Sequence, residues 1–241
     1  MPLAIRLAPL APGNGVEGSA PHRNARQTLE EYYNSLFGVL GPQHWWPAKT
    51  PFEVIVGAIL TQSTAWTNVE RAINNLRREN LLTPRAMERM QVGRLARFVR
   101  SSGYFRQKAK KLKAFVNFLR REFRGSLARM FRMPTHELRK KLLDVHGIGP
   151  ETADSILLYA GNHPVFVVDA YTKRVLVRHG WVSTRANYEE MRAFFETNLD
   201  PDAPRFNEFH ALLVQTGKHW CRPREPRCGE CPLQRFLEEG R

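Results

Sequence analysis

The sequence predicts an all-α protein, and two observations support that fold class. Almost every segment of the 241 residues places apolar side chains at the three- and four-residue spacing of a helix. The one run with the composition of a strand, PVFVV at 164–168, is short and has no second run to pair with. Apolar residues make up 42% of the chain and charged residues 25%, which is ordinary for a soluble globular protein.

The first 26 residues, 1–26, are predicted to be a disordered tail. Their apolar stretch is interrupted by Arg6, Pro9 and Pro12, so it makes a poor signal peptide. No apolar run in the chain approaches the roughly 20 residues that cross a bilayer. We therefore expect a cytoplasmic protein without a membrane partner.

The predicted helices follow from Thr28, which can cap TLEEYYNSLFGVLG. The loop GPQHWWPAKTP comes next. Later helices are predicted at 52–79 (two helices with a break near 62–64), after Thr83 and Pro84, within the basic segment SSGYFRQKAKKLKAFVNFLRREF, in HELRKKLLDV, and near 170–179, 187–197 and 204–218. The PVFVV run before the last three is predicted to be a buried extended link.

The charge balance predicts a polyanionic partner. Lysine and arginine total 37 against 23 aspartate and glutamate, which gives a net charge of +14 and a pI near 10.3. Each phosphate that such a protein neutralises releases counterions on binding. Charge alone does not distinguish DNA from a ribosome or a membrane surface.

A glycine turn between two helices lies in VHGIGPETADSILLYA at 145–160. Gly147 can take a positive φ, and Gly149 has no Cβ to block a ligand that approaches the backbone. Pro150 suits the first turn of the next helix, whose free N–H groups and positive dipole end would bind a phosphate. The alternative is an ordinary loop between two helices.

These motifs resemble a known family. LLDVHGIGPETADSILLYA followed by VVDAYTKR is similar to the helix-hairpin-helix signature and downstream aspartate of the endonuclease III superfamily of DNA glycosylases. The similarity continues through VGAILTQST and SGYFRQKA to CRPREPRCGEC. It covers nearly everything from about residue 28 onward.

The resemblance implies a two-domain all-α fold with a DNA cleft between the domains. A six-helix domain would occupy 48–163, while an N-terminal helix at 27–47 would pack with a C-terminal domain at 164–241. The implied partner is double-stranded DNA containing damaged bases, bound by a monomer that associates with the nucleoid. Gly147, Gly149 and Thr152 would contact that DNA.

Asp169 is the candidate catalytic residue. Its position between an apolar run and a helix also suits an N-cap, which contributes about 1 kcal/mol. In the resembled family this aspartate is catalytic, and the two roles are compatible.

Glu151 stands where bifunctional members of the family carry a lysine, two residues after the second glycine of the turn. That amine attacks the sugar and permits strand cleavage, whereas a carboxylate cannot form an imine. We therefore predict a monofunctional glycosylase that uses water. Lys173 and Lys218 are the alternative amines, although neither is at the family's position.

Three tryptophans form a candidate base pocket. Trp45 and Trp46 precede Pro47 in a loop, and Trp66 follows the next helix. An extruded base needs flat apolar walls, and indole faces attract the positive charge of an alkylated base. The arrangement is similar to the 3-methyladenine DNA glycosylase III branch, in which Trp46, Pro47 and Trp66 would line the pocket with Trp45 nearby.

Two further residues match DNA-inserting positions of the family. Gln62 lies where the family places a glutamine in the gap left by the flipped base, and Tyr104 lies where an opposing wedge enters the duplex. The alternatives are a polar residue at a helix end and a core aromatic.

The three cysteines are clustered, which favours metal ligation over a disulfide framework. Cys221, Cys228 and Cys231 follow C-x6-C-x2-C, and the resembled family continues with x5-C to hold a 4Fe-4S cluster. That fourth position is Leu237 here. We predict a 4Fe-4S cluster with three cysteine ligands and a fourth ligand that is water or one of His219, Glu238 and Glu239. The alternatives are zinc with His219, or a loop that has lost its metal.

The leading prediction is a base-excision-repair glycosylase acting on alkylated purines such as 3-methyladenine. One alternative is an oxidised-pyrimidine glycosylase with weak AP-lyase activity. The other, of a different class, is a DNA-binding protein without catalysis.

Overall fold

The computed structural model describes residues 24–237, and the all-α prediction is confirmed because no strand occurs within them. The helices are α1 Ala25–Leu40, α2 Pro51–Thr61, α3 Trp66–Arg78, α4 Pro84–Arg89, α5 Val92–Phe98, α6 Phe105–Phe123, α7 Leu127–Met130, α8 Thr135–Leu143, α9 Pro150–Ser155, α10 Ala170–Arg178, α11 Tyr188–Asn198 and α12 Ala203–His219. Helix α9 continues as a π-helical turn over Ile156–Ala160. Short 3-10 turns occur at Arg100–Ser102, Cys228–Glu230 and Gln234–Phe236.

Helix α1 begins earlier than predicted. Asn24 caps it by accepting a hydrogen bond from the N–H of Gln27 at 3.3 Å, and Thr28 is buried inside the helix. Asparagine and threonine are both good caps, so the sequence allowed either start. Of the predicted tail, residues 1–23 lie outside the described part of the chain, and Ala25 and Arg26 already belong to α1.

The core centres on α2, where residues 52–60 are all buried. A helix that is buried on nearly every side must be surrounded, and α2 packs against α3, α6, α9 and the π-helical turn, while its one charged residue, Glu53, pairs with Arg77 of α3. Its carboxyl end is held by the buried Lys108 of α6, whose Nζ donates to Leu60 O at 2.9 Å and to Ser102 O at 2.5 Å. Burial, and then the nearby Lys111, lower the pKa of Lys108 to about 8.

A buried ion pair joins the two helices of the glycine turn. Arg139 of α8 donates to both carboxylate oxygens of Asp154 of α9, at 2.7 and 3.0 Å, and Asp154 is fully buried. Tyr188 of α11 donates to the same carboxylate at 2.9 Å. Arg139 also pairs with Glu189 at 2.6 Å. The orientation of the turn therefore depends on contacts from α8 and α11.

Helix α1 packs against α11 and α12. Arg26 pairs with Asp200 at 2.5 Å, and Arg205 of α12 pairs with Glu30. The predicted domain boundaries at 48 and 163 stay predictions. The predicted extended link is present, since 162–169 has no regular secondary structure and Val165, Phe166, Val167 and Val168 are buried.

Within residues 24–237, no helix combines the length and the apolar character needed to cross a membrane.

Candidate active site

A cleft of about 830 Å³ lies where the α2–α3 turn, the glycine turn and the start of α10 meet α12. It gathers predicted site residues that are distant in sequence. Those that line it are Trp45, Trp46, Gln62, Trp66, Gly147, Gly149, Thr152 and Asp169. Pro47 and Tyr104 are not among its lining residues. Pro47 is exposed beside the tryptophan pair, and Tyr104 is 70% exposed just before α6.

Asp169 caps α10 and faces the cleft. Its Oδ1 accepts the N–H of Thr172 at 2.8 Å, and its side chain is 17% exposed. Its Oδ2 lies 3.7 Å from Nε2 of His210. The predicted N-cap is thus present, and its hydrogen bond holds the carboxylate at the edge of the cleft.

Glu151, the second residue of α9, shares the cleft with Asp169. Its side chain is open to the cleft's solvent, yet the surrounding protein and then the charge of Asp169 raise its pKa to about 7. Two neighbouring carboxylates resist full ionisation. Glu151 therefore holds its proton to higher pH than an ordinary glutamate.

The aromatic wall of the cleft is built around Trp46. Its ring meets Trp66 edge-to-face at 5.0 Å and Trp45 at 5.8 Å, and it lies 5.3 Å from the ring of Tyr159. The indole also lies on Gly57 of α2, where a Cβ atom would come within 3.1 Å of it. A glycine at that position lets the tryptophan pack directly on the helix.

Gln62 is held against the glycine turn. Its Nε2 donates to Gly147 O at 3.1 Å and to Thr152 Oγ1 at 2.9 Å, while Lys111 donates to its Oε1. Gly147 has φ +85°, and a Cβ there would lie 2.3 Å from Cγ of Lys111. Gly149 differs, because its φ is −93° and a Cβ would meet no heavy atom within 4 Å among the described residues.

The lysines proposed as alternative amines occupy different places. Lys218 lines the cleft, with its Nζ 5.8 Å from the centre of the Trp45 ring. Lys173 instead donates to Ala186 O at 3.0 Å and is not among the cleft-lining residues. Lys111, which sequence reasoning missed, lines the cleft as well.

The three cysteines line one small cavity of about 20 Å³, together with Leu237. Arg178 donates to Cys221 Sγ at 3.2 Å, and burial raises the pKa of the Cys231 thiol to about 11. The thiols have the donor chemistry of an iron–sulfur site, and Leu237 supplies no fourth donor. Among residues 24–237, no three His, Cys, Asp or Glu side chains are grouped tightly enough to hold a metal ion.

Of the candidate fourth ligands, His219 does not line this cavity. Glu238 and Glu239 lie outside the described residues.

Two further cleft residues, Tyr159 and His210, escaped the sequence reasoning. Tyr159 lies within the predicted helix after the glycine turn, and His210 lies in the apolar helix α12. Their side chains meet at 2.6 Å, between Tyr159 Oη and His210 Nδ1. The available signal was a titratable residue in an otherwise apolar helical stretch.

A family model described as "HhH-GPD superfamily base excision DNA repair protein" matches residues 56–201. The chain belongs to this HhH-GPD superfamily. The matched region includes the glycine turn, Glu151 and Asp169. At the level of activity, this HhH-GPD protein is a DNA glycosylase of base excision repair.

Three relatives show how far the similarity extends. A provisionally named DNA repair glycosylase of Methanocaldococcus jannaschii is 43% identical over 215 residues, which cover 88% of this chain and 97% of the relative. The Helicobacter pylori 3-methyladenine DNA glycosylase, in a crystal structure with 1,N6-ethenoadenine, is 29% identical with a TM-score of 0.70, over 80% of this chain and 97% of the other. A non-covalent endonuclease III–DNA complex is 21% identical with a TM-score of 0.75, over 89% and 96%. The last of these shows the shared fold.

Proposed function

We propose that this HhH-GPD protein is a monofunctional glycosylase that releases alkylated purines such as 3-methyladenine from double-stranded DNA. The observation that carries the proposal is the cleft itself, which sets the Trp46 and Trp66 rings in the same cavity as Asp169 and holds a carboxyl group at position 151. The H. pylori relative, whose structure contains 1,N6-ethenoadenine, supports a modified purine as the substrate.

The chemistry of the leaving base explains why one carboxylate is enough. A purine alkylated on a ring nitrogen is already cationic, so it leaves with little protonation. Asp169 then has to stabilise positive charge on the sugar and guide water, which a fixed charge in a partly enclosed cleft does by electrostatics. The indole faces attract the cationic base by roughly 0.5–2 kcal/mol per contact.

The reaction should stop at an intact abasic strand. Glu151 cannot form an imine, and no lysine replaces it at that position. We expect base release without strand nicking and no complex trapped by borohydride. The assay is a release panel on duplexes carrying methylated or oxidised bases, followed by denaturing gels with and without borohydride.

The oxidised-pyrimidine alternative with weak lyase activity is kept because Lys111 and Lys218 both line the cleft. If strand nicking follows base release, Lys218→Ala should abolish it when Lys218 is the amine. Lys173→Ala is the matched control, since that amine is held by Ala186 O. Nicking that keeps pace with release in the Lys218 variant would show that the role of Glu151 is misread.

The variant Asp169→Asn distinguishes a glycosylase from a DNA-binding protein without catalysis. Asparagine keeps the oxygen that caps α10 but removes the charge, so the variant should fold and bind DNA while losing most of its rate. If neither the wild type nor the variant releases any base of the panel, the non-catalytic reading holds.

Trp46 offers a test of substrate class. Trp46→Ala removes the ring that meets Trp45, Trp66 and Tyr159, and with it the cation–π contact. We expect a larger loss for cationic lesions than for neutral ones, and Trp46→Phe should restore part of it. Equal losses for both lesion types would argue against a cation-binding wall.

We also propose that Cys221, Cys228 and Cys231 hold a 4Fe-4S cluster, as endonuclease III relatives do. Three thiols in one cavity beside Arg178 support it, and the bound group would cross-link the C-terminal loop. The test is iron and sulfide analysis with visible absorption, and Cys228→Ala should remove both. Zinc alone, or no metal, would refute the cluster.

A further inference from the structure

A buried histidine lies behind the proposed catalytic carboxylate. His210 of α12 is 5% exposed, and its Nε2 has no hydrogen-bond partner among residues 24–237. That nitrogen points to Asp169 Oδ2 across 3.7 Å, a separation slightly too long for a hydrogen bond. A buried polar atom without a partner costs free energy, and the acceptor that Nε2 faces in this place is the carboxylate of Asp169.

The other ring nitrogen of His210, Nδ1, contacts a phenol. Tyr159 Oη lies 2.6 Å from Nδ1. Burial, and then Asp169 and Glu151, raise the pKa of Tyr159, so the phenol keeps its proton. Burial lowers the pKa of His210 against the opposing effect of Asp169, so the ring is neutral.

The charge that Nε2 faces favours one tautomer. With the ring proton on Nδ1, the lone pair of Nε2 would face the Asp169 carboxylate, which is repulsive, so we assign the phenol O–H as the donor to Nδ1 and the single ring proton to Nε2. The indole N–H of Trp45 is close to the same phenol but has no hydrogen-bond partner among residues 24–237. In this tautomer the phenol O–H and the Nε2–H both point toward Asp169.

We propose that His210 is a positioning residue for Asp169, and that its Nε2–H binds Oδ2 when an extruded nucleotide fills the cleft. The proposal rests on the proposed function in that Asp169 is taken as the catalytic carboxylate. A contraction of less than about 1 Å completes the hydrogen bond. The extruded base would cause this contraction by pressing on Trp46, whose ring lies against Tyr159, the hydrogen-bond partner of His210.

A neutral donor suits this task better than a charged one. With Oδ1 held by Thr172 and Oδ2 held by His210, the carboxylate has one orientation. An imidazolium would cancel the negative charge that stabilises the sugar cation, whereas a neutral N–H orients the carboxylate and keeps it ionised. We therefore expect the wild type to stay active at lower pH than a variant that lacks the Nε2–H donor of His210.

Two substitutions of His210 test the roles of its two ring nitrogens separately. In His210→Gln the amide nitrogen reaches the place of Nε2, while in His210→Asn the side chain reaches only the place of Nδ1. We expect His210→Asn to lower the single-turnover rate roughly 10- to 150-fold, the effect of a hydrogen bond to a charged group. The acid limb of its pH–rate profile should move to higher pH, with DNA affinity unchanged. His210→Gln should recover both the rate and the position of the acid limb.

A matched control is His163. It is also buried, with Nδ1 2.9 Å from a hydroxyl, that of Thr135, and with an Nε2 that lacks a partner within residues 24–237, but it does not line the cleft. His163→Asn should therefore leave the rate and the acid limb unchanged. If it shifts them as His210→Asn does, the effect is general destabilisation and the proposal fails.

The pH profile has to exclude other titrating groups. Glu151 of α9, Tyr159 of the π-helical turn and His210 of α12 face Asp169, and Lys111 of α6 and Lys218 of α12 line the same cleft. The series is therefore repeated with Glu151→Gln as the parent. The shift caused by His210→Asn should persist, and its disappearance would assign the acid limb to Glu151 and overturn the proposal.

Nitrogen-15 NMR of labelled histidine gives a readout independent of turnover. His210 should show the Nε2–H tautomer in the free protein, and DNA carrying an abasic-site analogue should move that proton downfield. Tyr159→Phe should change the Nδ1 shift. An Nδ1–H tautomer, or no change on DNA binding, overturns the proposal. A wild type that released no alkylated base would refute the proposed function, while this spectrum would still decide the hydrogen bond.

Discussion

Replacing Gly149 with valine tests the glycine turn as the phosphate-binding element. Gly149 has φ −93°, which any residue adopts, and a Cβ there meets no heavy atom within 4 Å in the described chain. The folded protein therefore accommodates valine, at a cost of at most about 1 kcal/mol for a poorer helix cap. A phosphate approaching the N–H groups of α9 would not accommodate it.

The expected loss follows from one charged hydrogen bond. Losing a hydrogen bond of roughly 1.5–3 kcal/mol weakens DNA affinity about 10- to 150-fold, for all sequences alike. The slope of log affinity against log salt concentration should fall by about the amount expected for one phosphate contact. The assay is fluorescence anisotropy over a series of salt concentrations, with thermal melting as the folding check. Gly93→Val is the control, because a Cβ at Gly93 is equally open among the described residues and Gly93 does not line the cleft. Unchanged affinity in folded Gly149→Val would refute the assignment.

Three further outcomes are expected. Since the raised pKa of Glu151, about 7 against an ordinary 4.5, means that the folded state binds the proton more tightly, its contribution to stability is present below pH 4.5 and is lost as pH rises through 7. Glu151→Gln should therefore melt higher than the wild type at pH 8 and equally at pH 4.5, and a constant difference would contradict the proximity to Asp169. Asp154→Ala should lower the free energy of unfolding by about 3–5 kcal/mol because it removes the fully buried partner of Arg139 and the acceptor of Tyr188, and a loss under about 1 kcal/mol in urea titration would contradict a stabilising role for the Arg139–Asp154 pair. Gly38→Ala, within α1 and with open space at its Cβ among the described residues, should raise that free energy by about 0.5–1 kcal/mol, and any decrease would reveal an unseen contact.

The helices could be predicted because helical periodicity and capping are local. The break between α2 and α3 lies at 62–65, close to where polar residues interrupt the apolar run. The predicted cap of α1 was wrong by four residues, because Asn24 and Thr28 are both good caps and the packing that buries Thr28 is not visible in the local sequence. Local chemistry cannot decide between two suitable caps.

The site residues that belong to sequence motifs were predicted, and those outside the motifs were not. Asp169, Trp46 and Gly149 line one cleft as the resemblance implied, although their roles stay predictions. Tyr159 and His210 could not be foreseen, because their contact joins two helices 51 residues apart and neither belongs to a local motif. The raised pKa of Glu151 likewise depends on the folded cleft, since it is caused by the surrounding protein and by Asp169 at the start of α10.

The pairing of α1 with α12 has a consequence for biosynthesis. Glu30 and Arg205, which join the two helices, are 175 residues apart. At about 5–20 residues per second, a ribosome completes α12 roughly 10–35 seconds after α1. During that interval α1, whose Leu29 and Leu36 are fully buried in the finished protein, lacks α12 as a packing partner. Helix α1 is thus covered only after α11 and α12 have been made, and until then a nascent chain is open on that face to chaperones and to wrong association.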